Sequence, residues 1–492
     1  MNVSTPPPHT KARFDKTQFL QAVSNLLGPK GFTGDAAEVD PWLTDWRGRY
    51  HGAALGLASP ATTAEVADLV RLCAQHRVPI VPQGGNSGMV GGATPDASGT
   101  AMLLSLRRMT ALEVTPGLRR ASCGAGVILQ NLHDAAAEHG LRFPLSLGGK
   151  GSATLGGLVS TNAGGTQVLR HGVMRSLVEG LEVVLPDGQI LDATGGLVKD
   201  NRGFDLKQIF IGSEGTLGIV TRVVVKLVPA IATRQVIWCG VASPRQAREL
   251  LLHCQAELGP ALEGFELIPR ICLENVVEHL PGARPPLAGR HEWHVLLEFV
   301  AERSGAEAFA GSVERCLAGA MESGLVENAV IAANETQAEA FWQLREMIAP
   351  AERAKGEAVQ HDISVAPERM PDIIETLSDQ VNASFPGHET RAFGHLGDGN
   401  IHFHVVAPPD ATTQWQRTVA KDISTLVYDL VSEAGGSISA EHGIGQDKLA
   451  MLERTHDPVA LDVMRKVKAA LDPGELLNPG KLVTLAPSGR TP

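Results

Sequence analysis

Two closely spaced histidines give the strongest chemical signal in the chain. His395 and His402 lie within residues 391–405, where apolar and polar residues alternate around a Gly-Asp-Gly-Asn stretch at 397–400. These residue types tolerate left-handed backbone, so the pattern predicts a β-hairpin with its loop at 397–400. His395 would then lie opposite His402, with cross-strand Cβ atoms about 5 Å apart. We therefore expect both imidazoles to converge on one side of the hairpin, with His404 beyond them on the same side.

A carboxylate and another imidazole occur together in a later glycine-rich turn, as Glu441 and His442. Two imidazoles and one carboxylate hold a divalent ion while leaving coordination positions open for a substrate. Zinc is our first choice, and manganese or iron would suit the same donors. On these residues alone the alternative stays open that the strand histidines are polar residues on a solvated face.

Glycine is enriched and clustered. The chain has 53 glycines in 492 residues, and they concentrate in three runs at residues 84–92, 148–172 and 212–218. Such runs can turn several backbone amides toward one point, which binds phosphate without charged side chains. Three of them favour a large ligand with two phosphates. Their spacing fits neither a P-loop nor the dinucleotide fingerprint, and the chain has no nucleophile elbow.

Composition excludes several classes of protein. A formal net charge of −11 argues against nucleic-acid binding, which needs a basic face. The six cysteines form no Cys-x-x-Cys pair, which argues against an iron–sulfur cluster and favours a reducing compartment. No apolar run approaches the roughly 20 residues that cross a bilayer, and residues 1–11 lack the apolar core of a signal peptide. We expect a cytoplasmic protein with no transmembrane segment, and docking at a membrane surface stays open.

The elements that must position these motifs change in character along the chain. Thr62 and Glu65 form a capping box before an apolar helical face, and residues 78–82 predict a strand that leads into the first glycine run. Beyond about residue 235, predicted helices such as those over 244–258 and 412–433 alternate with strands. This alternation is typical of an α+β domain built on its own sheet.

The three glycine runs, the histidine hairpin and the Glu441-His442 pair resemble the FAD-linked D-2-hydroxy acid dehydrogenases of the vanillyl-alcohol-oxidase (p-cresol methylhydroxylase, PCMH) superfamily. The resemblance covers about residues 42–481 and implies an α+β fold. Residues 1–235 would form a PCMH-type FAD-binding domain with two subdomains. Residues 236–440 would form an α+β substrate (cap) domain with an antiparallel sheet, and residues 441–492 would return to the FAD domain.

The resemblance also implies which residues contact FAD. Asn86 stands where covalently flavinylated relatives often have a histidine, so the FAD is expected to be noncovalent. The expected contacts come from the glycine runs and the C-terminal segment: Pro82, Gly84, Gly85, Asn86, Ser87, Gly88, Gly151, Ser152, Gly156, Gly157, Thr161, Asn162, Gly164, Gly165, Glu214, Gly215, Gly218, Ile219, Val220 and Asn478.

By the same resemblance His442 is the catalytic base, Arg345 and His404 bind substrate, and the metal ligands are His395, His402 and Glu441. The implied reaction oxidises a small D-2-hydroxy acid to its 2-oxo acid by hydride transfer to flavin N5. An imidazole with an ordinary pKa of about 6.5 suits the accompanying proton transfer. Electrons would pass to an external acceptor such as a quinone, a cytochrome or an electron-transfer flavoprotein. A homodimer is compatible with this assignment.

Three positions depart from the D-2-hydroxyglutarate dehydrogenases of this group. Ala349, Gln360 and His404 stand where those enzymes carry threonine, often lysine and commonly asparagine. The lysine helps to hold a second carboxylate, whereas glutamine carries no charge. These departures slightly favour D-lactate or a related monocarboxylate over D-2-hydroxyglutarate.

Two other enzyme classes stay open on the same scaffold. One is a glycolate-oxidase-type subunit that needs partner chains for electron exit. The other is a flavin-dependent transferase of the alkyl-glycerone-phosphate synthase type. A noncatalytic flavin-binding module is disfavoured, because every polar group that the chemistry requires is present.

Overall fold

The computed structural model describes residues 14–197, 199–302, 306–409, 411 and 414–485. The first part of the chain builds a sheet of order β1-β2-β4-β3, in which β4 is parallel to both β2 and β3. Its elements are α1 (Lys16–Leu27), β1 (Phe32–Thr33), α2 (Ala36–Val39), β2 (Leu57–Ala58), α3 (Thr63–His76), β3 (Ile80–Gln83) and β4 (Met102–Ser105). The predicted helix cap is confirmed, because the Thr62 side chain accepts a hydrogen bond from the Glu65 N–H at the start of α3.

A second, antiparallel sheet of order β5-β6-β10-β8-β9 follows. Its region contains β5 (Leu112–Thr115), β6 (Arg120–Gly124), α4 (Leu129–Ala137), β7 (Leu141–Arg142), α5 (Leu155–Thr161), α6 (Val168–His171), α7 (Met174–Leu177), β8 (Val178–Val184), β9 (Ile190–Ala193), α8 (Lys207–Phe210), β10 (Ile219–Lys226) and β11 (Val228–Pro229). Val184 and Ile219 of this sheet share one apolar core with α3 and β4. The two sheets therefore pack together as two subdomains, as expected.

The third part is a seven-stranded, antiparallel sheet of order β15-β12-β14-β13-β17-β18-β16. Its elements are β12 (Thr233–Val241), α9 (Pro244–Leu258), β13 (Leu262–Pro269), α10 (Arg270–His279), β14 (Trp293–Ala301), α11 (Ala306–Glu322), β15 (Asn328–Ile331), α12 (Glu335–Glu346), α13 (Ile348–Lys355), β16 (Ala358–Ser364), α14 (Met370–Ser384), β17 (Glu389–His395), β18 (Asn400–Val406) and α15 (Val419–Glu433). The predicted antiparallel cap sheet is confirmed.

Of two helices predicted in this domain, one has the predicted bounds and the other begins later. The helix predicted over 244–258 has the same bounds in the structure, since Ser243 caps its first turn and proline opens it. The helix predicted from about residue 412 begins later, at Val419, after a 3₁₀ turn at Trp415–Arg417. Residues 412 and 413 lie outside the described residues.

Helices cover both faces of the seven-stranded sheet. One apolar core joins the sheet to α9, α11, α14 and α15, and a second core joins its other face to α10, α12 and α13. Side chains alternate between the two faces along each strand. In β18, Ile401, Phe403 and Val405 enter the first core, as predicted, so His402 and His404 lie on the second face.

The C-terminal segment adds α16 (Leu449–Thr455) and α17 (Pro458–Leu471) and then returns to the FAD-binding domain. Leu477 forms a parallel bridge with Ile80, and the Asn478 N–H donates to the Ile80 carbonyl at 2.7 Å. The division into domains, with residues 441–492 as a returning segment, stays a prediction. Within the described residues, no helix is both long and apolar enough to cross a membrane.

Candidate active site

The histidine hairpin forms, with a register that differs by two residues from the predicted one. His395 pairs with Asn400 and Phe393 pairs with His402, around a four-residue loop at 396–399. The prediction that His395 lies directly opposite His402 is therefore wrong, because Asn400 belongs to the strand rather than to the loop. A shift by an even number keeps every side chain on its predicted face. The histidine rings are diagonal neighbours with centroids 5.6 Å apart.

His395, His402 and Glu441 come together on this face. Each offers one ligand atom, and the three atoms lie within 4.8 Å of one another. Nε2 of His395 is 3.8 Å from a carboxylate oxygen of Glu441. Burial and the nearby carboxylates of Asp362 and Asp398 raise the pKa of Glu441 to about 7. A partly buried carboxylate among other carboxylates favours a cation, so this donor set fits a divalent ion.

Asp362 of β16 holds the loop that carries Glu441 and His442. Its buried carboxylate accepts the N–H groups of Glu441 at 2.8 Å and His442 at 2.9 Å, and the side-chain amide of Asn400 at 2.9 Å. The Nδ1 atom of His442 is 3.6 Å from the same carboxylate. Burial opposes the charge of Asp362, yet His442 and Lys448 hold its pKa below the ordinary value. Burial lowers the pKa of His442 to about 4, although Asp362 opposes that shift, so the imidazole is held neutral as a proton acceptor must be.

Glu266 of β13 links two of the predicted site residues. Its fully buried carboxylate accepts from Nδ1 of His395 and from Nε of Arg345 at 2.8 Å. Burial opposes its ionisation, but His395 and Arg345 lower the pKa of Glu266 to about 2. A carboxylate on the far nitrogen of a histidine fixes the ring orientation and leaves Nε2 free to bind a metal. Glu266 thus directs His395 toward Glu441.

The two predicted substrate-binding residues flank the cluster. The Arg345 guanidinium lies over the Phe393 ring, 5.0 Å from its centroid, while also pairing with Glu266. Nδ1 of His404 pairs with the buried Glu352, and its ring centroid is 6.5 Å from that of His402. Both side chains therefore lie on the same face as the metal cluster, and their contact with substrate stays a prediction. We call the face that carries His395, His402 and His404 the histidine face.

The glycine runs bring backbone against backbone. A Cβ on Gly85 would lie 1.8 Å from the Ser152 carbonyl oxygen, so that crossing requires glycine. Gly88 and Gly151 differ, because a Cβ there would meet no atom of the described residues within 4 Å. Backbone with free space beside it, held in place by tightly packed neighbouring backbone, can contact a bound ligand. We call the following loops the glycine cradle: residues 82–88, 151–157 and 161–165.

Polar side chains brace this cradle from behind. Asn86 and Asn162 adopt left-handed backbone, with φ of 51° and 52°. The Asn86 amide donates to the Thr44 carbonyl at 2.8 Å, and the Asn162 oxygen accepts the Arg175 N–H at 2.9 Å. Both asparagines therefore hold their loops in shape.

Three buried polar atoms near the cradle have no hydrogen-bond partner among the described residues: Gln83 Oε1, Thr154 Oγ1 and Asn478 Oδ1. Buried polar groups in native proteins are nearly always paired, so atoms without partners mark where another molecule supplies them. The residues present thus fit a large polar cofactor.

The third glycine run joins the cradle to the C-terminal segment. Glu214 is buried, and its carboxylate accepts the N–H groups of Ile444 and Gly445, both at 2.7 Å. A Cβ on Gly215 would lie 2.5 Å from the Pro82 ring. This run positions neighbouring segments whether or not it also touches FAD.

Three other residues expected to contact FAD pack within the protein interior. The side chains of Ile219 and Val220 lie in apolar cores, and a Cβ on Gly218 would meet Val183 and Phe210. Direct contact with FAD stays a prediction for these three residues and for the rest of the cradle: Gly84, Ser87, Ser152, Gly156, Gly157, Thr161, Gly164 and Gly165.

One cavity of about 350 Å³ lies between the glycine cradle and the segment that carries Glu441. Thr161, Asn162 and Glu214 line it from the FAD-binding domain, and Glu441 lines it from the C-terminal segment. A Cβ on Gly164 would lie 3.6 Å from a carboxylate oxygen of Glu441. The glycine cradle therefore lies next to Glu441 of the His395, His402 and Glu441 cluster.

Comparison with known proteins agrees with this architecture. The C-terminal domain family of FAD-linked oxidases matches residues 231–482, and an FAD-binding domain family matches residues 54–194. The chain belongs to the FAD-linked oxidase family. It is similar to the D-2-hydroxyglutarate dehydrogenase of Bos taurus, a mitochondrial protein, with 36% identity over 467 residues, 94% of this chain and 83% of that protein. The D-2-hydroxyglutarate dehydrogenase of Xanthomonas citri pv. viticola is 36% identical over 451 residues, 91% of this chain and 93% of that one.

The solved structure of p-cresol methylhydroxylase with substrate bound shares the fold. It superposes with a TM-score of 0.75 at 15% identity, covering 95% of this chain and 97% of that chain. This FAD-linked oxidase therefore has the two-domain fold of the vanillyl-alcohol-oxidase superfamily, and it is an FAD-dependent oxidoreductase of the D-2-hydroxy acid dehydrogenase group.

Four functional residues of the histidine face escaped the sequence analysis as site residues: Glu266, Glu352, Asp362 and Asn400. Glu266, Glu352 and Asp362 are acidic residues, and each is 2% exposed or less. Buried carboxylates are rare unless they are paired. An acidic residue between apolar neighbours, here Phe265 and Leu267, is the signal that could have found Glu266.

Proposed function

We propose that this enzyme oxidises a D-2-hydroxy acid to the corresponding 2-oxo acid with the help of a divalent metal. The observation that carries the proposal is the convergence of His395, His402 and Glu441 beside His442 and next to Gly164 of the glycine cradle. A 2-hydroxy carboxylate offers two oxygens on neighbouring carbons, which match the open positions of a three-ligand site. The names of the curated relatives support the same substrate class.

Oxidation removes a proton and a hydride from the substrate, and different side chains serve these two transfers. His442 takes the hydroxyl proton, and Asp362 holds the His442 backbone and lies beside its ring. Arg345 holds the substrate carboxylate, to which a planar guanidinium is matched. When bound, FAD supplies the oxidant that receives the hydride from the substrate carbon. A divalent ion at the three ligands supplies positive charge that makes the hydroxyl more acidic.

Several finer points belong to the same proposal. We favour zinc among the divalent ions, an external electron acceptor such as a quinone, a cytochrome or an electron-transfer flavoprotein, and a cytoplasmic location. The names of several relatives place those proteins in mitochondria. The slight preference for D-lactate or a related monocarboxylate over D-2-hydroxyglutarate follows from the departures at Ala349, Gln360 and His404.

Anaerobic flavin reduction tests the proposal. The purified holoenzyme is mixed with D- and L-2-hydroxy acids without an electron acceptor, and metal is measured in the same sample. We expect D-acids to bleach the flavin, and we expect chelation to abolish this reduction while FAD stays bound. Reduction at full rate after metal removal would refute the metal role. Failure of every D-acid would refute the dehydrogenase function and favour a transferase.

A further inference from the structure

Arginines surround a cavity at one end of the histidine face. The cavity has a volume of about 390 Å³ and is lined by Arg47, Arg49 and Arg353, with Gln360 and one acidic residue, Glu357. Its charged lining is therefore three cations and one anion. An apolar or cationic ligand would gain nothing from this lining, whereas an anion would.

Two of the arginines lack acidic partners. Among the described residues, Arg49 lies 3.5 Å from Asp447, but neither Arg47 nor Arg353 forms an ion pair. Arg47 is partly buried, and its guanidinium makes only long contacts, 3.5 Å to Gln360 Oε1 and 3.8 Å to the Met89 sulfur. Burial, with Arg49 close by, lowers the pKa of Arg47 to about 10. A cation in this position is stabilised by an anion that enters the cavity.

Strand register connects this cavity to the catalytic groups. In β16, Gln360 pairs with His404 of β18, and Asp362 pairs with His402. Residues two apart on a strand share a face and lie about 7 Å apart. Gln360 is therefore one step along the histidine face from Asp362, which holds His442.

We propose that Arg47, assisted by Arg49 and Arg353, binds a second anionic group at the far end of the substrate. The preferred substrate is then a D-2-hydroxy acid that carries a distal carboxylate, reached across a few methylene groups from the reacting carbon. This inference rests on the proposed function. It replaces the expectation of a monocarboxylate, which followed from the departures at Ala349, Gln360 and His404, and above all from the missing charge at Gln360. The charge comes instead from Arg47, 313 residues away in sequence.

Substrate preference tests the inference. The ratio of kcat/KM for D-2-hydroxyglutarate to kcat/KM for D-lactate is measured for the wild-type holoenzyme and for Arg47→Gln. A hydrogen bond to a charged group corresponds to a fall in this ratio of about 10- to 100-fold. Arg202→Gln is the control, because Arg202 is exposed and lies outside the cavity. Its ratio should match that of the wild type.

A second variant guards against misfolding of the first. Gln360→Glu places a negative charge beside Arg47, so it should lower the same ratio by repelling the distal carboxylate. An unchanged ratio in both variants overturns the anion site. Calorimetry with 2-oxoglutarate and pyruvate decides the matter without turnover. Tighter binding of 2-oxoglutarate that Arg47→Gln removes supports the site, and equal binding in the two proteins overturns it, even if no hydroxy acid reduces the flavin.

Discussion

The glycine cradle and the histidine face meet at Glu441 but are built from different groups. The cradle is backbone packed on backbone, as where Gly85 crosses Ser152. The histidine face is a set of ionisable side chains, and buried carboxylates pair with two of its histidines, Glu266 with His395 and Glu352 with His404. One region shapes a surface, and the other places charges.

The two regions should therefore respond differently to substitution. A side chain added where the cradle loops cross, as at Gly85, collides with backbone that cannot yield, so the fold and cofactor binding should suffer together. A histidine removed from the histidine face should leave the sheet in place, because Ile401, Phe403 and Val405 still pack on the opposite face of β18. Substitutions there should affect chemistry while FAD stays bound.

The largest expected effect is that of His442→Ala. Loss of a general base lowers rates about a hundred- to ten-thousand-fold. We expect the rate of anaerobic flavin reduction to fall by that factor, measured by stopped-flow absorbance, while the ratio of FAD to protein stays at the wild-type value. If the variant loses its FAD, the separation of the two regions does not hold.

Gly85→Ala tests the cradle itself. Its Cβ would lie 1.8 Å from the Ser152 oxygen, and overpacking of this kind costs about 1–3 kcal/mol or more. We expect a lower Tm and loss of FAD. Gly88→Ala is the matched control, since its Cβ meets no described atom within 4 Å. It should keep the Tm of the FAD-free protein and weaken FAD binding only, and equal Tm losses in the two variants would contradict the cradle geometry.

Glu266→Gln probes the support of the histidine face. Replacing a carboxylate that orients a metal-binding histidine typically costs about 10- to 100-fold in metal affinity or activity. We expect such a loss in a chelator titration that follows metal content. Glu298→Gln is the control, because Glu298 is a buried carboxylate of the same sheet that bonds Trp342 instead. Equal metal affinity in Glu266→Gln and the wild type would show that His395 needs no such support.

The sequence predicted which face of the sheet a side chain occupies better than it predicted how two strands pair. Alternation in β18 assigned His402 to one face and Phe403 to the other, because a strand has only two faces. The pairing of His395 depended on the length of the loop, which backbone geometry sets and composition does not. Asn400, a typical turn residue, instead donates its amide to Asp362 and belongs to the strand.

Long-range partners lay beyond what the sequence could show. Glu266 pairs with His395 across 129 residues, and Arg47 reaches Gln360 across 313. Neither pairing leaves a local pattern, because each depends on how β13, β17 and the Arg47 loop meet in the fold. The convergence of His395 and His402 on one face was predictable from local spacing, and the groups that orient them were not.

Acid stability offers the smallest contrast between the two regions. His361 is fully buried beneath the histidine face, and burial lowers its pKa to about 3, below the ordinary 6.5. Between these values the unfolded chain binds the proton and the folded chain does not, so the stability from neutral His361 is present above pH 6.5 and is lost as the pH falls toward 3. At pH 5 this loss is at most about 2 kcal/mol, since each pH unit corresponds to about 1.4 kcal/mol.

We expect the urea midpoint to fall less between pH 7.5 and 5 in His361→Gln than in the wild type. His133→Gln, at a half-buried histidine of the FAD-binding domain, should change that fall less, because His133 keeps more contact with water. If His133→Gln flattens the profile as much as His361→Gln, acid sensitivity does not reside in the sheet that carries the catalytic groups.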